Sequence, residues 1–152
     1  MDKGECIPKN IYLADDDEDD RSFFQDALKE VCKDVQLTMA INGSELMTIL
    51  YKQPVPLPDV LFLDLNMPIK NGFECLAEIR ANQLLNQLPV IIFSTTSQEE
   101  AVNMVYNIGA NLYVRKPDSF VHLKKILKQV LSIDWVNNRT QFPKEQFLVS
   151  MG

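Results

Sequence analysis

Residues 15 to 20 read DDDEDD, five aspartates and a glutamate without a break, directly behind the apolar run IYLA. Two carboxylates about 5 Å apart repel by roughly 3 kcal/mol at an effective dielectric near 20. A chain that crowds acids in this way needs a cation to offset the repulsion. Other reactive types also stand at the ends of apolar runs: Asp64 after VLFL, Ser94 and Thr95 after VIIF, Lys116 after LYVR. Carboxylates with few other ligands suit a hard, oxygen-seeking ion such as Mg²⁺, which takes one or two of them and keeps several waters. Beside such an ion, one aspartate can act as nucleophile toward phosphorus and form an aspartyl phosphate. Phosphoryl transfer then calls mainly for positioning and charge stabilisation, a task that fits Lys116 and the Ser94 hydroxyl. A calcium loop is excluded: its sixth position is Asp20 rather than Gly, and its twelfth is Asp26 rather than Glu. The plainer reading, acids at the positive end of a helix, covers Asp19 and Asp20, with Asp17 a linker; it leaves Asp64 unexplained.

These groups come from four distant segments, so a fold must bring them together. Short apolar runs alternate with longer amphipathic ones. Strands are expected over 10–15, 35–41, 59–64, 89–94 and 111–116. Helices are expected over 19–32, with Phe23, Ala27, Leu28 and Val31 inward; 44–52, with Ser44 as N-cap; 72–82; 97–109, closed by Gly109; and 119–131. The segment QPVPLP, 53–58, must be a loop, because three prolines forbid regular structure. Five β-α units in tandem imply a doubly wound parallel sheet with helices on both faces. Ligands of such sheets bind outside the carboxyl ends of the strands, at the switch point. Asp15, Asp16, Asp64, Ser94 and Lys116 all fall at such ends.

Composition narrows the classes. At 152 residues, 46% hydrophobic and 24% charged, the chain is expected to be one globular domain. A net charge of −6 argues against a nucleic-acid surface. Lys124, Lys125 and Lys128 read as the solvated face of the last helix. No run approaches the ~18 apolar residues of a membrane span, and residues 1–10 lack the apolar core of a signal peptide. Cys6, Cys32 and Cys75 are far apart, with no C-x-x-C pair, and read as free thiols in a reducing cytoplasm.

The stretches LADDDEDDR, DLNMP…G and GANLYVRKP, in register over residues 9 to about 132, resemble the receiver domain of two-component response regulators. The resemblance implies a flavodoxin-like (βα)5 fold with strand order 2-1-3-4-5. It implies that Asp64 accepts a phosphoryl group from a histidine kinase or phosphotransfer protein. It further implies that Asp15, Asp16, Asp64 and Asn66 hold Mg²⁺, that Ser94 and Lys116 hold the phosphoryl group, and that Ser94 and Tyr113 form a switch. Helix 4, strand 5 and helix 5 would present the face that meets a downstream protein. The Pro-rich loop resembles single-domain regulators of the phytochrome-partner group. The sequence departs from the family in Ser94, where Thr is commoner, and in Thr95, where a small residue is usual. His122, the only histidine, reads as a satisfied structural side chain.

The division expected is a receiver domain over 1–133 and a tail over 134–152, too short for an output domain. Trp135, Phe142, Phe147 and Leu148 would fold that tail onto its own domain or anchor a homodimer or partner. Two other functions compete with a stand-alone regulator that is not a turnover enzyme. A Mg²⁺-dependent phosphatase of the haloacid-dehalogenase type needs D-x-D, and Asn66 stands at its second position. A degenerate receiver scaffold would not need Asp15, Asp16, Asp64 and Lys116.

Overall fold

The computed structural model describes residues 6–52 and 56–150. Five β-α units follow one another: β1 (Asn10–Ala14), α1 (Glu18–Val31), β2 (Gln36–Ala40), α2 (Gly43–Tyr51), β3 (Val60–Leu63), α3 (Gly72–Ala81), β4 (Val90–Ser94), α4 (Glu99–Ile108), β5 (Leu112–Arg115) and α5 (Phe120–Leu131). A short α6 (Lys144–Phe147) and β6 (Leu148–Val149) come after them. Alternation along each strand feeds two cores. Ile11, Leu13, Phe62 and Phe93 face α1 and α5; Tyr12, Ala14, Leu61 and Ile92 face α2, α3 and α4. Phe24 of α1 meets Phe62 and Phe93 edge-to-face, with centroids 5.0 and 5.6 Å away. Such aromatic pairs add about 0.5–1.5 kcal/mol beyond the area they bury. The loop expected over 53–58 falls partly outside the described residues.

The sheet has six parallel strands in the order β2-β1-β3-β4-β5-β6, one more than expected. The sixth comes from the tail. Trp135 is fully buried, and its Nε1 donates to the carbonyl of Val130 at 3.0 Å. Buried Asn111 then fixes the returning chain: its Nδ2 donates to the Arg139 carbonyl at 2.9 Å, and its own carbonyl accepts from the Phe142 amide at 3.1 Å. Leu148 and Val149 thereby lie beside Tyr113 and Val114. A bare β5 edge would expose unpaired backbone groups, and the tail pairs them. Two residues are too few to show a strand period, so the sequence did not reveal β6.

Three local expectations need correcting. Phe23 is 42% exposed and leans on Phe120, while its neighbour Phe24 fills the core position. Asn42, not Ser44, caps α2: its Oδ1 accepts from the Glu45 amide at 2.8 Å. The ring of His122 is not satisfied, since its buried Nδ1 has no hydrogen-bond partner among the described residues. Gly109 does close α4, at φ 122, a region that side chains rarely adopt.

The cysteines differ more. Cys6 and Cys32 form a disulfide across a Cα separation of 5.3 Å, and only Cys75 is free among the described residues. No spacing motif links residues so far apart; folding brings them together. The bridge ties the segment before β1 to the C-cap of α1. A closed loop of 26 residues raises stability by about 3.5 kcal/mol in the chain-entropy account. Reduction, or Cys32→Ser, therefore lowers the melting temperature by about 10 °C, measured by calorimetry with and without a thiol reductant. A shift under 2 °C would show that the bridge contributes nothing.

Candidate functional site

The strand order reverses between β1 and β3, and the acids gather there. Asp15 follows β1, and its amide donates to the Ala40 carbonyl at 3.0 Å; Asp64 follows β3, and its amide donates to the Ala14 carbonyl at 3.0 Å. Both carboxylates are thus aimed by ladder bonds, not by loops. Gly72 protects this placement, because a Cβ there would overlap the Asp64 carbonyl. The following loop carries exposed Asn66, two residues beyond Asp64, and passes through Ile69 at φ 71, a rare conformation for a β-branched residue.

Asp15, Asp16 and Asp64 each offer an oxygen within 4.8 Å of the others. Asp15 is fully buried and Asp64 is 6% exposed. One oxygen of Asp15, Oδ1, accepts from the Asp17 amide at 3.0 Å. The other, Oδ2, is buried without a hydrogen bond. It lies 2.8 Å from Lys116 Nζ as a contact ion pair. Three carboxylates gathered around a single ammonium, which touches two of them, leave negative charge in excess, and such a set of hard oxygen ligands fits a divalent cation.

Lys116 completes the charge cluster. Its amide donates to the Ser94 carbonyl at 2.8 Å, which fixes its backbone beside β4. Its Nζ donates to Asp20 Oδ2 at 2.8 Å and Asp64 Oδ2 at 3.2 Å. Burial alone draws the ammonium pKa down, but Asp64, Asp15 and Asp20 outweigh it and hold it above the ordinary lysine range. Burial pushes the Asp64 carboxyl up to about 6, against the pull of Lys116 and with the repulsion of Asp15. Burial likewise raises Asp15.

Ser94 is buried beside this cluster, and its Oγ accepts from the Thr96 amide at 3.4 Å. Tyr113 is fully buried; its hydroxyl donates to the Thr96 carbonyl at 2.6 Å. Burial raises the Tyr113 pKa, with the Ser94 hydroxyl opposing. Its ring meets Phe147 of the tail at 6.3 Å. The structure thus gathers Asp15, Asp16, Asp64 and Lys116, sets Ser94 and Tyr113 along the neighbouring strands, and leaves Asn66 on the open rim. A roomier hollow, about 520 Å³ between α1 and the start of β2, lies at the other end of the sheet from these groups.

Two acids in this region differ from the expectation of a linker at 17 and a plain helix-start acid at 20. Asp17 is the N-cap of α1, accepting from the Asp20 amide at 3.0 Å, and not a linker. Asp20 reaches back to Lys116. No sequence signal joins Asp20 to a residue 96 positions away.

Such a sheet, with acids at its switch point and a lysine after β5, defines the receiver class of α/β domains. The response regulator receiver domain family matches residues 11–128, and the chain belongs to that family. It is 33% identical over 137 residues to the response regulator Rcp1 of Synechocystis sp., covering 88% of this chain and 92% of that one. The phosphorylated cyanobacterial phytochrome response regulator RcpA superposes with a TM-score of 0.77 at 29% identity, over 86% of this chain and 96% of RcpA. The Mn(2+)-bound form of Rcp1 superposes with a TM-score of 0.75 at 32% identity, over 90% of this chain and all of Rcp1. Among the described residues no helix is long and apolar enough to cross a membrane.

Proposed function

We propose that this chain is a stand-alone response regulator of a two-component phosphorelay, which takes a phosphoryl group on Asp64 and signals by protein contact. The observation that carries this reading is the Lys116 ammonium within 3.2 Å of Asp64, beside three carboxylates suited to a divalent ion. Asp64 Oδ attacks the phosphorus of a phosphohistidine on a histidine kinase or phosphotransfer protein; the new O–P bond forms as the N–P bond breaks. Asp15, Asp16, Asp64 and the backbone of Asn66 hold the ion, taken to be Mg²⁺, and its charge offsets that of the transferring group. Mn²⁺ in the solved Rcp1 structure supports such a site. Lys116 holds one phosphoryl oxygen and the Ser94 hydroxyl another, while Thr95 narrows the entry.

The Ser94 hydroxyl, drawn toward the phosphoryl group, changes its contact with Tyr113, and Tyr113 in turn touches Phe147. The face of α4, β5 and α5 is then the output surface toward a downstream protein or a second copy, and β6 forms part of it. The reading takes residues 1–133 as the receiver unit and 134–152 as a tail that belongs to it. It places the protein in the cytoplasm, with no nucleic acid or membrane as partner and no turnover activity of its own. Kinship with Rcp1 and RcpA supports a phytochrome-type sensor as the phosphoryl source.

Incubation with acetyl phosphate and Mg²⁺ tests the reading. An acid-stable, base-labile mass gain of one phosphoryl group supports it. Rapid hydrolysis of many phosphate esters would favour a phosphatase, and no labelling a scaffold.

A further inference from the structure

Lys116 is shared among three carboxylates, and one of them lies outside the divalent ligand set. Asp20 Oδ2 is 2.8 Å from Nζ, as close as Asp15 Oδ2, and Asp20 is 41% exposed where Asp15 is fully buried. A divalent ion seated on Asp15, Asp16 and Asp64 meets a cation already in its field, because Lys116 touches two of those three residues. The two positive charges can share the cluster only if the ammonium has another anion to lean on. Asp20 supplies it from the first turn of α1, where the Asp17 cap fixes its backbone. A hollow of about 30 Å³, roughly the share of one water, opens between Asp20, Phe23 and Lys116 and gives Nζ room on that side.

We propose that Asp20 is a positioning residue for divalent binding: its carboxylate gives the Lys116 ammonium an anion on α1 to keep when a divalent ion takes the metal-ligand oxygens. This rests on the divalent site described under Proposed function. Removing the charge of Asp20 leaves Lys116 bound to Asp15 and Asp64 alone, so the ammonium competes harder with the incoming ion. The loss of one negative charge within about 6 Å of Asp64 Oδ2 acts in the same direction. The two contributions separate by salt. Salt at 0.5 M, where the Debye length is about 4 Å, weakens the through-space effect of half-exposed Asp20 more than the direct contact between Nζ and Oδ2.

The test titrates Mn²⁺ against the full chain and reads free Mn²⁺ by electron paramagnetic resonance. Asp20→Asn is expected to raise the Mn²⁺ Kd at least tenfold at 0.05 M salt and at least fivefold at 0.5 M. Asp20→Glu, whose carboxylate still reaches Nζ, stays within threefold of the native protein. A ratio below twofold for Asp20→Asn at 0.5 M salt overturns the anchoring role, with the native site intact. A native protein that binds no Mn²⁺ sinks the divalent site and this inference with it. The half-exposed position of Asp20 keeps both variants folded, and circular dichroism verifies that.

Discussion

Asp64→Ala abolishes labelling by acetyl phosphate and Mg²⁺. Among the described residues only Asp15 shares with Asp64 the combination of burial, a raised pKa and contact with Lys116. Asp15 is the nearest alternative, but it is fully buried, and one of its oxygens is held by the Asp17 amide. Labelling of the alanine variant to more than a few per cent of the native level would place the nucleophile elsewhere. The fold itself does not need this carboxylate. Its carboxyl titrates near 6 in the folded chain against 3.8 in the unfolded one, so between these values the folded state binds more protons. Stability from this group is therefore present below about pH 4 and lost as pH rises through about 6. The shift corresponds to roughly 3 kcal/mol at 1.4 kcal/mol per unit. Asp64→Asn should be more stable than the native chain at pH 8 without metal, by up to that amount, and close to it at pH 4. Urea unfolding at the two pH values, in the presence of a chelator, measures both. A lost label with gained stability separates chemistry from folding.

Lys116→Met has the opposite signature, losing activity and stability together. Without the ammonium, Asp15 and Asp64 face each other in a buried site with no cation, and removing one partner of a buried pair costs about 3–5 kcal/mol. The loss shrinks as pH falls and Asp64 takes up a proton, which it does from above the native value of about 6 because Lys116 no longer pulls its carboxyl down. Mg²⁺ or Mn²⁺ at millimolar concentration should restore much of it, because the ion supplies the missing charge. Labelling still falls by about 10²-fold, the usual consequence of removing one group that stabilises developing charge. Comparing urea midpoints with chelator and with metal checks the first part, and the initial rate of phosphoryl incorporation the second. An unchanged rate would remove Lys116 from the chemistry.

The alternation of strands and helices, and the strand ends that carry Asp15, Asp64, Ser94 and Lys116, were readable because parallel strands buried on both faces are written as unbroken apolar runs. Where such a run stops, the residue that follows must lie at the sheet's edge, so the polar group there belongs to the crevice. Family motifs then added register. Asp20 escaped because helix starts favour acids for their own reason, and nothing in a local pattern says whether such an acid faces solvent or a distant lysine. The Cys6–Cys32 bridge escaped because residues on two separate segments become neighbours only after α1 has docked.

The sequence by itself determined the layers of the domain and the chemical types that line one edge of its sheet, since burial and strand period act locally along the chain. Tertiary structure alone decided which of those groups meet: Lys116 among Asp15, Asp20 and Asp64, and the tail's Phe147 against Tyr113. Those contacts join residues with no shared period, and a side chain finds such a partner only when the sheet brings it there.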